Sequence, residues 1–430
     1  MQTAEVKPPS TDAFRSRLRN VNRREQIIGV VRRLVSVPSP NPPLDTVAIA
    51  EAAEAILKEL VPDIEVGLYR ASSEVVNLVA RVRGNGAGRR LIFNGHLDTY
   101  PVGDVLSWTV DPFGGKLQDG RIYGRGVCDM KGGIAASICA LALLAEHRDV
   151  WPGELVLTLG GDEESMGELG AKYLIENVPH ARGDAVIVGD AGSPMVIRFG
   201  EKGFLWITVD AEGMAAHGAH VHRGINAIDR LRAALDAVSS LREEVVQTPY
   251  LVRDAIAKAK SISEELSGVG ESDVLTSVTV NVGRIEGGSS PNLIPASARF
   301  AADIRVPVGI RSSTLETVLA GKLSQIEGVK LSVDRCIEPS FTNPSEEIIR
   351  QVLSAATDVL GKAPALNMRV GASDARVYRR AGMPTVVYGP TPFNMGGPDE
   401  YVMIDELETV MRVHAIAALN FLLGKHFDAA

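Results

Sequence analysis

The chain has 430 residues, with 45 lysines and arginines against 53 aspartates and glutamates, a formal net charge of −8. That balance, spread along the chain without a basic cluster, argues against nucleic acid or an anionic membrane as partner and leaves a small molecule as the expected one. The length exceeds what one core holds, so two domains are expected, and 45% hydrophobic with 23% charged residues is an ordinary globular balance. Cys128, Cys139 and Cys336 form no C-x-x-C pair, and their odd number argues against a disulfide framework, as in a reducing cytoplasm. The opening MQTAEVKPPSTDAF lacks the charged-then-apolar pattern of a signal peptide, and IAASICALALLAE is too short to span a bilayer, so a soluble cytoplasmic protein is expected.

Apolar spacing predicts a first helix over 23–35, stopped by VPSPNPP, and a second over 45–60. The pattern then alternates. VVNLVARVRG and RLIFNGHLDT read as strands, 132–146 as a helix, GELVLTLGGDEE as a strand, 168–177 as a helix and DAVIVGDAG as a strand. Such alternation predicts an α/β domain with a mainly parallel sheet and helices on both faces. From about 203 the order becomes strand (FLWITVDAEG), helix (225–243), strands (SVTVNVGRIEGG, ASARFAADIRV), helix (311–325) and strand (VKLSVDR). This β-α-β-β-α-β order predicts a ferredoxin-like α+β small domain. A helix at 345–360, the strand PTVVYGP and a closing helix at 405–424 then resume the first style. The expected organisation is a catalytic domain over 1–200 and 338–430, interrupted by a small lid or dimerisation domain over 201–337.

Acids and a histidine gather where the strands end. His96 and Asp98 follow RLIFNG, the run Asp162, Glu163 and Glu164 follows LVLTLGG, Asp190 follows AVIVG, and Asp129 precedes a glycine-opened helix. In an open α/β sheet the carboxyl ends of the strands line the ligand crevice, so these groups are expected to converge. Carboxylates sharing a cleft raise one another's pKa unless a cation sits among them. One imidazole with carboxylate oxygens suits Mn or Zn, with Co or Fe as alternatives, and the absence of nearby cysteine ligands argues against a closed structural zinc.

The motifs GHLDTYPVGD, DGRIYGRGVCDMKGG, GGDEES, VGDAG, HGAHVHRGINAI, GGSSPNLIP, DIRV and GPTPFNMGGPDEYV occur in the order found in the metal-dependent exopeptidases and amidohydrolases. The chain resembles that family, which includes acetylornithine deacetylase and succinyl-diaminopimelate desuccinylase, from about 24 to 424. The resemblance implies that His96, Asp129 and Asp190 hold one metal and that Glu164 binds a second. It makes Glu163 the general base and gives Asp98 the task of orienting His96. It implies that His217 stabilises the oxyanion in a partner subunit's site, and hence a homodimer or higher homo-oligomer through the small domain. Asn292, Arg305, Arg369 and Ser373 are the candidate substrate contacts, the arginines as carboxylate clamps. Ser373 and Asp374 read equally well as helix caps, and His220 and His222 as surface histidines.

One departure matters. The family places a histidine, the last ligand of the second metal, a few residues before DEYV; the register here gives Gly396, and no histidine lies between His222 and His414. The expectation is therefore one firmly bound divalent metal per chain, and hydrolysis of a C–N bond in a carboxylate-bearing small molecule. The loss also opens hydrolytic deamination of an activated aryl amine such as 5-nitroanthranilate, with Phe393, Met395 and Tyr388 as an aromatic wall. The alternatives are an N-acyl amino-acid deacylase, a dipeptidase or carboxypeptidase, and a non-catalytic scaffold, although a scaffold would have no use for a free base at Glu163.

Overall fold

A computed structural model describes residues 11–424, so much of the opening segment lies outside the described residues. The chain divides into two compact units, one of Met1–Phe199, Thr342–Asn367 and Ser373–Ala430, the other of Gly200–Phe341 and Met368–Ala372.

The larger unit is built on a sheet whose centre is parallel. Glu154–Gly160, Arg90–His96, Ala185–Val188 and Thr385–Val387 lie side by side in that order and run the same way. These strands are buried along almost their whole length, as continuous apolar runs covered on both faces must be. The flanks are antiparallel. Val76–Arg83 pairs with Glu154–Gly160 and makes a hairpin with Glu65–Arg70, while Val196–Glu201 meets Thr385–Val387. Val76–Arg83 and Val196–Glu201 follow the preceding strand through short connections instead of helical crossovers, and short connections reverse direction.

The helix Gly132–Ala145 packs into this core with every residue buried. Among the described residues, Val127–Ala145 is the segment long and apolar enough to cross a membrane, and it is wholly enclosed by protein. Its position depends on a glycine: a Cβ on Gly133 would lie 1.7 Å from the Gly189 carbonyl oxygen. The helices Arg24–Val35, Val47–Leu60, Glu347–Leu360 and Ile404–Leu422 occur close to where the apolar spacing places them. The helix predicted from 168 begins only at Ala171. Not anticipated in this unit were the helix Thr11–Asn20, seated through Phe14 and Leu18, the edge strand Glu65–Arg70, the strands Val196–Glu201 and Ala365–Arg369, and a three-stranded sheet of Tyr401–Met403, Arg121–Tyr123 and Leu117–Gln118.

The smaller unit carries a four-stranded antiparallel sheet in the order Thr279–Gly287, Ser297–Val306, Gly203–Glu212, Val329–Ile337. Alternate residues of the two inner strands, Leu205, Ile207 and Val209 facing Phe300, Ala302 and Ile304, build a core with Leu231 of Ala227–Ser239 and Leu315 and Leu319 of Ser312–Leu323. This is the ferredoxin-like order. Two helices, Tyr250–Ser267 and Glu271–Thr276, are inserted where the sequence reads as a connection. The three cysteines are free thiols.

Candidate active site

The parallel centre of the sheet sets the site. His96 ends its strand, Asp190 comes two residues after Ala185–Val188, and Glu163 comes three after Glu154–Gly160. All three therefore leave neighbouring parallel strands at the same edge. Asp129 arrives from the irregular segment Val127–Lys131 that leads into the glycine-opened helix. One ligand atom from each of His96, Asp129 and Asp190 lies within 4.8 Å of the others, and all three residues are buried.

The orientation of the imidazole follows from its partners. Nδ1 of His96 is 2.9 Å from the main-chain oxygen of Asp98, which can only accept, so Nδ1 carries the hydrogen. Nε2 faces Oδ1 of Asp129 at 2.8 Å. Burial disfavours the charged ring, but the carboxylates of Asp129 and Asp98 outweigh it and raise its pKa well above the usual value.

Asp98 stands against His96 as expected and is held by further partners as well. Its carboxylate stands 3.5 Å from Nδ1, while its oxygens accept the backbone N–H groups of Glu163 and Glu164 at 3.0 Å each and the side-chain amide of Asn41 at 2.9 Å. The carbonyl of Asp98 aligns the histidine with the carboxylate beside it, and the carboxylate also fastens the turn that carries both glutamates.

Glu163 is 12% exposed, and its Oε1 lies 3.3 Å from Nη1 of Arg376, itself buried on the short helix Ala375–Arg380. Burial pushes the Glu163 carboxyl up to about 7, against the pull of His96 and Arg376 and with the push of Asp129 and Asp190. Glu164 is pushed up to about 9 by burial and then by Asp129. Its Oε1 is buried with no hydrogen-bond partner. Asp162 lies outside this group and holds the following turn, accepting the Leu169 N–H at 2.8 Å.

A cluster of one imidazole and several buried carboxylates, with an orphaned carboxylate oxygen beside it, is the donor set a divalent cation relieves. The residues present fit such a group.

Arg376 was missed by reasoning from acids and histidines alone, and an arginine three residues after Ser373 carries no signal of its own. Ser373 and Asp374 are buried at the start of the same helix, and Asp374 makes no side-chain cap. Burial and the nearby Glu163 raise the Asp374 pKa well above the usual range. Tyr388 is a core residue whose hydroxyl donates to the Pro194 carbonyl, and Phe393 stacks on Tyr401, so the expected aromatic wall of Tyr388, Phe393 and Met395 is not formed as such.

His217, Asn292, Arg305 and Arg369 belong to the smaller unit. His217 and Asn292 are brought together there: the Gly218 N–H donates to the Asn292 carbonyl at 2.7 Å, and both side chains are exposed. Arg305 donates to Asp303 at 2.9 Å and lies over Phe204, an ordinary ion pair. The main-chain oxygen of Arg369 accepts the Lys202 N–H at 3.1 Å.

On this fold, the constellation defines a metal-dependent hydrolase of amide or peptide bonds. Residues 92–420 match the model of peptidase family M20/M25/M40. The chain is 31% identical over 409 residues to the succinyl-diaminopimelate desuccinylase of Rhodospirillum centenum, covering 92% of this chain and 97% of that one. It belongs to this peptidase family. The fold is shared with an M20 family metallo-carboxypeptidase from Sulfolobus solfataricus (TM-score 0.75, 19% identity, 93% of this chain and 99% of that one). It is also shared with a dinuclear metal-binding M20 peptidase from Bacillus subtilis (TM-score 0.66, 15% identity, 96% and 99%).

Proposed function

We propose that the protein hydrolyses the amide bond of an N-acyl amino acid or a dipeptide, with Glu163 as general base. The supporting observation is the placement of Glu163 at the edge of the His96, Asp129 and Asp190 cluster, with one oxygen near Arg376 and its backbone held by Asp98. A divalent cation held by His96, Asp129 and Asp190, Mn or Zn before Co or Fe, would supply Lewis acidity and make its water more acidic. Glu163 takes the proton of the attacking water and delivers it to the leaving nitrogen. Asp98 keeps Glu163 and Glu164 apart by binding their two amides with different oxygens.

A single cation per chain is part of the proposal. With glycine at 396, a second position would have Glu164 and a share of Asp129, two oxygen donors and no imidazole. His217 and Asn292 are proposed to reach a substrate carbonyl across a homodimer, and Arg369 to clamp the substrate carboxylate; Arg305 would have to exchange Asp303 for it. Ser373, being buried, supports the loop. We place the protein in the cytoplasm on its free thiols.

Gly396 favours a second reading, deamination of an electron-poor aryl amine, because such a ring needs less electrophilic help. The desuccinylase and peptidase names of the relatives put amide hydrolysis first. The test is Glu163→Ala against panels of N-acyl amino acids, dipeptides and nitroanilines. Turnover should vanish while metal content and circular dichroism stay as in wild type, and retained activity would remove Glu163 from its role.

A further inference from the structure

Glu163 sits on a turn of three residues, Glu163–Ser165, and a side chain from far upstream grips the end of that turn. Asn41 is 9% exposed, and its Nδ2 has two hydrogens to give: it donates to Oδ2 of Asp98 at 2.9 Å and to Oγ of Ser165 at 2.7 Å. The amide fits only this way round. Oδ2 of Asp98 already accepts the Glu164 N–H at 3.0 Å, and turning the amide over would set oxygen against oxygen.

Asn41 is itself anchored to the strand end that bears the histidine. Its backbone N–H donates to the Thr99 carbonyl at 2.8 Å, the Thr99 N–H donates to the Ser39 carbonyl at 2.9 Å, and the Ser39 hydroxyl donates to the Leu97 carbonyl at 2.7 Å. Four residues before Asn41, the carbonyl of Val37 accepts Nζ of Lys131 at 2.8 Å, and Lys131 is buried two residues beyond Asp129. The segment 37–41 is thus a strap with three attachments: the His96 strand end, the Asp129 segment and the turn of the two glutamates. The third attachment runs through the Asn41 amide.

We propose that Asn41 is a positioning residue for the general base: its side-chain amide bridges Asp98 and Ser165 and so fixes the Glu163 carboxylate at the edge of the His96, Asp129 and Asp190 cluster, beside Arg376. The proposal rests on the reading of Glu163 as general base. Asp98 holds the turn by the backbone amides of its first two residues, Asn41 holds it by the side chain of the third, and the two grips meet at Oδ2 of Asp98. Both hydrogens of the amide are committed to these partners, which leaves Asn41 no amide donor for a substrate. It acts through Glu163, so its loss shows in turnover and not in binding. Displacing a reacting group by about 1 Å costs on the order of 100-fold in rate.

The test is Asn41→Leu in the Mn²⁺-loaded enzyme, a change that keeps the bulk and removes both donors. On the best N-acyl amino acid or dipeptide, kcat should fall by about 100-fold, with KM within about threefold of wild type and the Mn²⁺ content unchanged. The acid limb of kcat/KM should move to higher pH, because a Glu163 freed from its place loses Arg376, and an unfolded fraction cannot imitate that shift. An unchanged kcat, or a limb that does not rise, would overturn the proposal. Ser165→Ala removes the second grip alone and carries the same test if Asn41→Leu does not fold: kcat should fall, and combining the two changes should cost no more than Asn41→Leu by itself. Additive losses would rule out the bridge. Glu163→Gln run beside them separates the claims. If it stays active, the general-base reading fails and the proposal with it; if it is inactive while Asn41→Leu is fully active, Asn41 alone loses its role. If wild type cleaves no compound of either class, the crystal structure of Mn²⁺-loaded Asn41→Leu decides: the Glu163 carboxylate should lie more than about 0.5 Å from its wild-type place, and an unmoved carboxylate would sink the idea.

Discussion

At the scale of single residues, the site is a contest between burial, which favours neutral carboxyls, and a few positive groups, which favour carboxylates. Glu163 acts as base only when ionised, so activity should rise with pH through its pKa, which burial raises to about 7 before any cation is added. Arg376 and a bound cation both pull that value down. Arg376→Met should therefore move the acid limb of the kcat/KM profile to higher pH, and a limb that stays put would show that the guanidinium does not reach the base. His96, Asp129, Asp190 and Glu163 were legible in the sequence because each follows an apolar strand or opens a helix. Arg376 and Asn41 were not, because arginine and asparagine occur anywhere on a surface and only the folded chain brings them to the acids. Asp98 was only partly legible: its nearness to His96 in sequence pointed at the imidazole, but nothing in the sequence showed that its carboxylate also serves two backbone amides sixty-odd residues away.

At the scale of elements, close approaches of backbone fix the ligand geometry. The helix carrying Asp129 into the site sits against the segment carrying Asp190 through Gly133, whose Cβ would strike the Gly189 carbonyl at 1.7 Å. Gly133→Ala should cost about 1–3 kcal/mol in urea unfolding and weaken Mn²⁺ binding, because relieving the clash separates two ligands. The buried Arg125–Glu400 pair fastens the Gly396 loop to the Asp129 segment. Glu400→Ala leaves a buried guanidinium without its counter-charge and should cost about 3–5 kcal/mol by the same measurement. Strong periodic helices and buried strands were read close to their observed ends. The helix Tyr250–Ser267 was missed because its buried stripe, Val252, Ala255, Ile256 and Ala259, is narrow and alanine-rich. The strands Leu117–Gln118 and Tyr401–Met403 are too short to show any period.

At the scale of the whole chain, two units with separate cores should unfold as separable transitions, so no single stability describes the protein. A cation binding the larger unit stabilises it by about 2.7 kcal/mol at a hundredfold excess over its Kd. Chelation should thus lower the midpoint of one calorimetric transition and leave the other in place; equal shifts in both would contradict a site confined to one unit. The split of the larger unit along the chain also has a consequence for synthesis on the ribosome. His96, Asp129, Glu163, Glu164 and Asp190 all emerge within the first stretch, whereas Arg376, the sheet strand Thr385–Val387, Glu400 and the closing helix Ile404–Leu422 come last, after the whole smaller unit. A nascent chain therefore exposes a full set of metal ligands long before anything can clamp them, and a chain stopped at residue 341 should capture no Mn²⁺ through desalting. Activation is postponed to the last ninety residues, which leaves every incomplete product inert.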